Sequence, residues 1–233
     1  MNGKIQKKIL VVASGGLDST VALVKAHKEY SHVEALTFSY GSNHNGAEHE
    51  ALEKTCAKYG INLTTIDLSF MGKHFTSSLL GGEIPEGNYN EENMKSTVVP
   101  FRNGIMLSVA AGYAESKDFD AVVLGNHSGD HTIYPDCRAD FIQAMAQAIR
   151  LGTWKNIEVL SPFCNVSKSD IVKIGAELGV DFGMTYSCYK GGSLHCGKCG
   201  TCRERMEAFK IAGVEDPTQY MEYTEDTENT EAT

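Results

Sequence analysis

The sequence predicts an α/β fold, a parallel sheet with helices on both faces and a four-cysteine segment near its C-terminal end, on three observations. Residues 9–13 are unbroken apolar, as a central parallel strand buried on both faces requires. That run ends in Ser14-Gly15-Gly16-Leu17-Asp18-Ser19-Thr20, a small flexible turn, and helical spacing in Leu17, Val21 and Val24 begins at once. Short apolar runs then alternate with amphipathic stretches along the chain, the pattern of βα units.

Taken in order, residues 33–38 read as a second strand, and Tyr40-Gly41-Ser42-Asn43-His44 turns into a helix with Leu52, Cys56 and Tyr59 inward. Residues 63–68 are the third strand. From 69 to 98, Gly72, Gly81, Gly82, Pro85 and Gly87 interrupt any period, and a lid is expected. Met106, Val109, Ala110 and Tyr113 mark the next helix, and residues 121–124 the next buried strand. The polar loop 125–138 follows it, at the strand end where open parallel sheets bind ligands. Ile142, Met145, Ala146 and Ile149 form a further helix and residues 157–160 a short strand. Ser167-Lys168-Ser169-Asp170 caps a helix through Ile171, Ile174 and Leu178, which Gly179 stops.

The turn after the first strand is an anion site. Gly15 and Gly16 allow positive φ and close approach of a ligand to the backbone, and the helix N-terminus carries roughly half a positive charge. Ser14, Ser19 and Thr20 supply hydroxyls, and Asp18 is placed to cap the helix or reach a metal through water. The lysine of the common Gly-Lys-Ser/Thr phosphate loop is absent, as is G-x-G-x-x-G.

Composition bounds the rest. A chain of 233 residues is long enough for one large α/β domain, or for one domain plus a small appendage, and a formal net charge of −9 argues against broad binding along a nucleic-acid backbone. No segment reaches transmembrane length and residues 9–13 are too short for a signal peptide, so a cytoplasmic protein is expected. Glu222, Glu225, Asp226, Glu228 and Glu231 crowd the tail, which is expected to be disordered.

Seven cysteines, an odd number unevenly placed, suggest metal ligation before disulfides. Cys188, Cys196, Cys199 and Cys202 can close on one zinc ion, with Gly197 and Gly200 letting backbone N–H groups face the sulfurs. A redox C-x-x-C pair and an iron–sulfur cluster use similar spacings. A closed site of this kind is structural, pinning the C-terminal segment with Tyr186 and residues 189–195. Cys56 reads as core, whereas Cys137 and Cys164 have no assigned place.

Ser14-Gly15-Gly16-Leu17-Asp18-Ser19 resembles the pyrophosphate loop of the ATP pyrophosphatases. With Val99-Pro100-x-Arg102-Asn103, Gly125, Asp130, Tyr134-Pro135-Asp136-Cys137-Arg138, Cys188-Tyr189 and Cys196-Gly197-x-Cys199-x-x-Cys202, the chain resembles the 7-cyano-7-deazaguanine synthase family over most of its length. The resemblance implies a Rossmann-like pyrophosphate-loop domain over residues 1–185, a zinc segment over 186–215 and an acidic tail over 216–233. It also implies an ATP- and Mg2+-dependent ligase, zinc-bound and homodimeric, that turns 7-carboxy-7-deazaguanine and ammonia into the nitrile through an adenylate and an amide.

The roles it implies are triphosphate binding by residues 14–20, charge neutralisation by Arg102 and Lys168, and heterocycle binding by Tyr134, Asp136, Arg138 and Tyr189. His127, Asp130 and His131 are candidates for metal binding or proton transfer, or are ordinary loop residues. Asn43, Phe101 and Thr132-Ile133 depart from the family's arginine, glycine and Ser-Gly. The chain leaves no room for a glutaminase domain, so ammonia is expected free or from a partner. Three other readings use the same loop: transfer of the activated deazaguanine to a protein amine, a tRNA-modifying enzyme, and a nucleotide-binding module without catalysis.

Overall fold

A computed structural model of the chain describes residues 3–221, except for the side chain of His131. The expected acidic tail, from Glu222 on, lies outside the described residues.

Five parallel strands stand in the order β3-β2-β1-β4-β5. They are β1 (Ile5–Val12), β2 (Tyr30–Ser39), β3 (Asn62–Asp67), β4 (Ala121–Val123) and β5 (Glu158–Leu160). In register, Val12 lies beside Leu36 and Val11 beside Val123. The chain moves outward from β1 through β2 to β3, then crosses to β4 on the other side. That reversal opens a crevice beyond the carboxyl ends of β1 and β4, where such sheets take ligands.

Helices cover both faces, which is why residues 9–13 are apolar without alternation. Ile9, Val11 and Ala13 face α1 (Leu17–Glu29), α7 (Lys168–Glu177), α8 (Gly200–Ala212) and the Leu52–Cys56 side of α2 (Asn45–Tyr59). Leu10 faces α5 (Arg102–Ser116), and Ile142 and Ile149 of α6 (Ala139–Gly152) belong to the same core. Cys56 is core, as its helical position suggested. Ser167 caps α7 by accepting from Asp170 N, and Gly179 follows in the left-handed region at φ 69°.

The segment 69–98, expected as a lid, carries short elements of its own and contributes Tyr89 to the cleft described below. It folds into α3 (Phe70–His74), α4 (Glu91–Met94) and two short 3-10 turns, Ser78–Leu80 and Lys95–Thr97. Met71, Leu79, Met94 and Thr97 are buried, so dispersed apolar residues anchor a chain that has no periodic pattern of its own. Asn43, in place of the expected arginine, donates to Ser78 O and Gly82 O and ties the turn before α2 to this segment.

Candidate active site

The loop after β1 runs straight into α1 through a residue with no side chain. Gly16 is the N-cap of α1 and has no side chain to cap with, so the first amides of the helix remain available to an anion. Asp18 therefore does not cap the helix, contrary to one of its expected uses. The hydroxyls of Ser14 and Ser19 hold the loop's shape: Gly16 N donates to Ser14 Oγ at 3.1 Å, and Ser19 Oγ donates to Gly16 O at 3.2 Å.

Two glycines bring neighbouring segments against this loop. Gly15, at φ 100°, leaves no room for a β-carbon, which would stand 2.1 Å from Glu48 O on α2. Gly125, after β4, would place one 2.8 Å from Ser19 Cα. The phosphate loop is thus clamped between α2 and the loop 125–138, whose turn at Ser128–Thr132 brings His127 and Asp130 alongside.

The cleft so formed encloses about 230 Å3. Ser14, Gly16, Leu17, Asp18 and Ser19 line it, as do Arg102, Lys168, Tyr134 and Tyr189. Gly15 sits behind the loop, and Thr20 is buried outside the lining with Oγ1 lacking a hydrogen-bond partner among the described residues.

At one end lies a charged knot. Lys168 Nζ is 2.6 Å from Glu204 Oε2 and 3.3 Å from Asp18 Oδ2. His127 Nε2 lies 3.6–3.9 Å from Asp18, Asp130 and Glu204, and Tyr89 donates to Asp130 at 2.8 Å. Burial opposes the Lys168 charge, but Asp18, Glu204 and Asp130 outweigh it and hold the ammonium far above its ordinary range. Burial raises the Glu204 carboxyl, against the pull of Lys168 and His127. Asp18 Oδ1 is buried without a partner among the described residues.

The opposite wall is aromatic. Tyr134 OH pairs with Thr97 Oγ1 at 2.9 Å and Tyr189 OH at 3.4 Å. The Tyr189 ring stacks on His44 with centroids 5.0 Å apart, and Arg102 donates to Tyr40 OH at 3.2 Å. His44 and Glu48 lie at i and i+4, with Nε2 and Oε2 3.5 Å apart. Burial pushes the His44 imidazole down to about 4, helped by Arg102, and pushes the Glu48 carboxyl up to about 7 against Arg102 and Ser14.

Asp136 and Arg138, expected on the heterocycle, do not line the cleft. Asp136 Oδ2 accepts from Asn103 N at 2.7 Å, so its carboxylate is spent on a free amide at the start of α5, where the helix dipole favours it. Arg138 is exposed at the N-terminus of α6. Cys137 does reach the cleft and accepts from Asn103 Nδ2 at 3.0 Å, and burial pushes its thiol above the ordinary range. Sequence reasoning missed Glu48, Tyr89 and Glu204, and gave Asn103 no role although it belongs to the Val99-Pro100-x-Arg102-Asn103 segment. Only Glu48 carried a local signal, its i,i+4 pairing with His44 at the end of a buried strand.

Below the aromatic wall the four cysteines converge. All are buried, and their Sγ atoms lie within 4.8 Å of one another. Cys199 and Cys202 sulfurs are 3.4 Å apart, Cys196 and Cys202 4.0 Å. Four sulfurs bound at about 2.3 Å around a tetrahedral ion stand roughly 3.8 Å apart, so the donor set fits one. N–H groups of Cys196, Lys198 and Cys199 point at sulfurs, as thiolates require. Tyr186 N donates to Gly15 O at 3.0 Å and Gly87 N to Lys198 O at 3.0 Å, tying this segment to the phosphate loop and to segment 69–98. Arg205, fully buried on α8, donates to Asp216, Thr185, Ser187 and Phe182 O.

Comparison with known proteins gives a consistent picture. The family model described as queuosine biosynthesis protein QueC matches residues 8–213. A 7-cyano-7-deazaguanine synthase of Porphyromonas gingivalis is 52% identical over 217 residues, 92% of this chain and 98% of that one. The synthase of Desulfotalea psychrophila is 50% identical over 214 residues, 91% of this chain and 98% of its own. Among solved structures, an NMN synthetase from Francisella tularensis shares the fold at TM-score 0.50 and 13% identity, over 90% of this chain and 79% of that one. No described helix is long and apolar enough to cross a membrane.

Proposed function

The chain belongs to the QueC family, and we infer that its cleft is the active site of an ATP-dependent carbon–nitrogen ligase converting 7-carboxy-7-deazaguanine and ammonia to 7-cyano-7-deazaguanine. The observation that carries this reading is a match to named synthases over nearly the full length of both chains. It covers every element that lines the cleft.

The chemistry explains the residues. A carboxylate is a poor electrophile toward ammonia, so it attacks the α-phosphorus of ATP; the bond to pyrophosphate breaks and an acyl adenylate forms. Ammonia adds to its carbonyl, AMP leaves, and the amide results. The amide oxygen then attacks a second ATP, and loss of AMP with the remaining nitrogen-bound protons leaves the nitrile. Residues 14–20 form the cradle for the triphosphate in this reading, with Leu17 and Asp18 amides at the helix end. Lys168 and Arg102 offset charge that builds on phosphate in the transition state. Tyr134 and Tyr189 hold the heterocycle, and Asp136 acts on it only by positioning Asn103 and Arg102.

Cys188, Cys196, Cys199 and Cys202 are assigned to zinc, which with four protein ligands supplies cross-linking and no open position. Asp18 and Asp130 are the carboxylates for Mg2+, which neutralises triphosphate charge when bound; the unpartnered Oδ1 of Asp18 supports this. The same reading includes a cytoplasmic homodimer, for which Leu151 and Trp154, exposed at the end of α6, offer apolar surface. Capture of the adenylate by a protein amine, or action on tRNA, is favoured by no feature of the cleft.

The test is mass spectrometry of purified protein with ATP, Mg2+, ammonia and 7-carboxy-7-deazaguanine. Nitrile with AMP and pyrophosphate is expected. AMP with adenylate or amide alone points to a different acceptor, and absence of AMP overturns the reading.

A further inference from the structure

Forming a nitrile from ammonia requires the removal of nitrogen-bound protons in both halves of the reaction, and nothing assigned above accepts them. The carboxylates at the phosphate end have other assignments: Asp18 and Glu204 lie against Lys168, Asp130 against Tyr89 and His127, and the unpartnered Oδ1 of Asp18 is the one given to Mg2+ above. Burial, acting first, holds Tyr89, Tyr134 and Tyr189 protonated, and it does the same to the Cys137 thiol. Arg102 and Lys168 are permanent cations in this setting. One carboxylate of the cleft is left, Glu48 in the first turns of α2.

Its position matches the need. Ser14 Oγ and Glu48 Oε1 lie 3.2 and 3.7 Å from where a β-carbon on Gly16 would stand, so one edge of the carboxyl faces the phosphate loop. The other oxygen lies 3.5 Å from His44, whose ring stacks on Tyr189 of the heterocycle wall. Ser14, Glu48, His44 and Tyr189 thus form a continuous chain from the pyrophosphate cradle to the aromatic wall. With phosphates on the first and heterocycle on the second, the bond between substrate carbon and AMP falls at the middle of that chain. The Glu48 side chain is 14% exposed and lines the cleft.

We propose that Glu48 is the proton acceptor of the amination and dehydration steps. This assignment rests on the ligase reading above. In the first round Glu48 takes a proton from the nitrogen of the ammonia adduct as the C–O bond to AMP breaks, giving the amide. In the second, attack of the amide oxygen on ATP expels pyrophosphate and gives a protonated imidate that passes one N–H proton to solvent; Glu48 then takes the last N–H proton, whose electrons become the third C–N bond while AMP leaves with its oxygen's electron pair. Between rounds the proton passes to solvent.

The groups facing Glu48 set its working range. They are Arg102 from α5, Ser14 from the phosphate loop, His44 ahead of α2, and Tyr189 behind His44. Burial raises the carboxyl to about 7 against the opposing pull of Arg102, close to the optimum for a base at neutral pH. The base works when deprotonated, so amination rises as pH increases through about 7.

The experiment separates activation from proton transfer. Substrate-dependent exchange of pyrophosphate into ATP reports adenylation, and amide and nitrile are followed by mass spectrometry. Glu48→Gln is expected to keep exchange within about threefold while amide and nitrile formation fall by roughly 10^2–10^4. The limb near pH 7 seen in the wild-type amination profile disappears in the variant. Equal losses in exchange and amination, or amination at the wild-type rate, overturn the assignment. Absence of exchange in the wild type overturns the ligase reading itself, a distinguishable result. Should Glu48→Gln be insoluble, Glu48→Asp, which withdraws the carboxylate by one methylene, must show the same split with a smaller drop.

Discussion

The cysteine segment and the cleft beside it are built from similar materials and treat polarity in opposite ways. Around the cysteines the charged groups are matched: the Cys188 and Cys196 sulfurs accept from backbone N–H groups, Cys199 lies beside the Thr201 hydroxyl, and Arg205 donates to Asp216 and three further oxygens. Tyr220 also donates to Asp216, at 2.7 Å. In the cleft, Asp18 Oδ1 and His44 Nδ1 have no partner among the described residues, and Glu48 is a carboxylate in a place that disfavours its charge. Hydroxyls elsewhere also lack one: Thr20 and Thr55 on α1 and α2, and Tyr186 beside the cysteine sulfurs. What sets the cleft apart is that its unpartnered atoms belong to titratable groups, which cost most to leave open and which a ligand can pair.

The largest effect is expected from breaking the closed half. Cys199→Ser, or stripping the metal with a chelator, removes a cross-link on which folding depends; metal analysis is expected to find about one zinc per chain before and none after, with loss of the cooperative thermal transition. An intact fold without metal would falsify the zinc assignment. In the open half, Lys168→Met is expected to slow pyrophosphate exchange by roughly 10^2–10^3 while leaving a folded protein, since it removes the cation nearest the expected phosphates.

Arg205→Met sharpens the contrast, because a buried arginine far from catalysis is expected to cost stability, about 3 kcal/mol, without changing KM for ATP. That loss should shrink in acid. Burial opposes the Asp216 charge, yet Arg205, Tyr220 and Thr218 together hold its carboxyl below the ordinary range. Its contribution is therefore present above roughly pH 4 and lost as pH falls below it. Denaturant titrations of both proteins at pH 7 and pH 3 measure the difference.

Glu48 carries the opposite sign. Its carboxyl titrates near 7 in the fold against 4.5 for the ordinary group, so the folded state loses relative stability as pH rises between these values. Glu48→Gln is expected to be more stable than the wild type at pH 8, by ~2 kcal/mol, and equal to it at pH 4. The smallest effect is at Asp136. Asp136→Asn is expected to cost about 1 kcal/mol through the α5 terminus and to change substrate KM little, whereas a large rise in KM would return Asp136 to the heterocycle.

Much of the fold was readable from short stretches. Residues 9–13, 33–38 and 63–68 became β1, β2 and β3, and Ser167 and Gly179 bounded α7 as their types required. Segment 69–98 defeated this approach because Met71, Leu79 and Met94 make sense only against partners elsewhere in the chain. Phe101 shows the same limit: it adopts φ 52° where glycine is favoured, and it packs edge-on against Phe141, 5.5 Å away, a contact invisible in the sequence.

The sequence by itself determined what depends on near neighbours: apolar runs, the glycine turn, helix caps, and the spacing of Cys196, Cys199 and Cys202. Backbone conformation and short-range ligand geometry are settled within a few residues, so type and spacing suffice. Only the tertiary structure decided that Glu48 comes beside Ser14, that Glu204 from beyond the cysteines reaches Lys168, which also meets Asp18, and that Asp136 turns away to α5. Those outcomes follow from the order of five strands and the docking of helices against them, where each residue's partner lies at a sequence distance that no local pattern encodes.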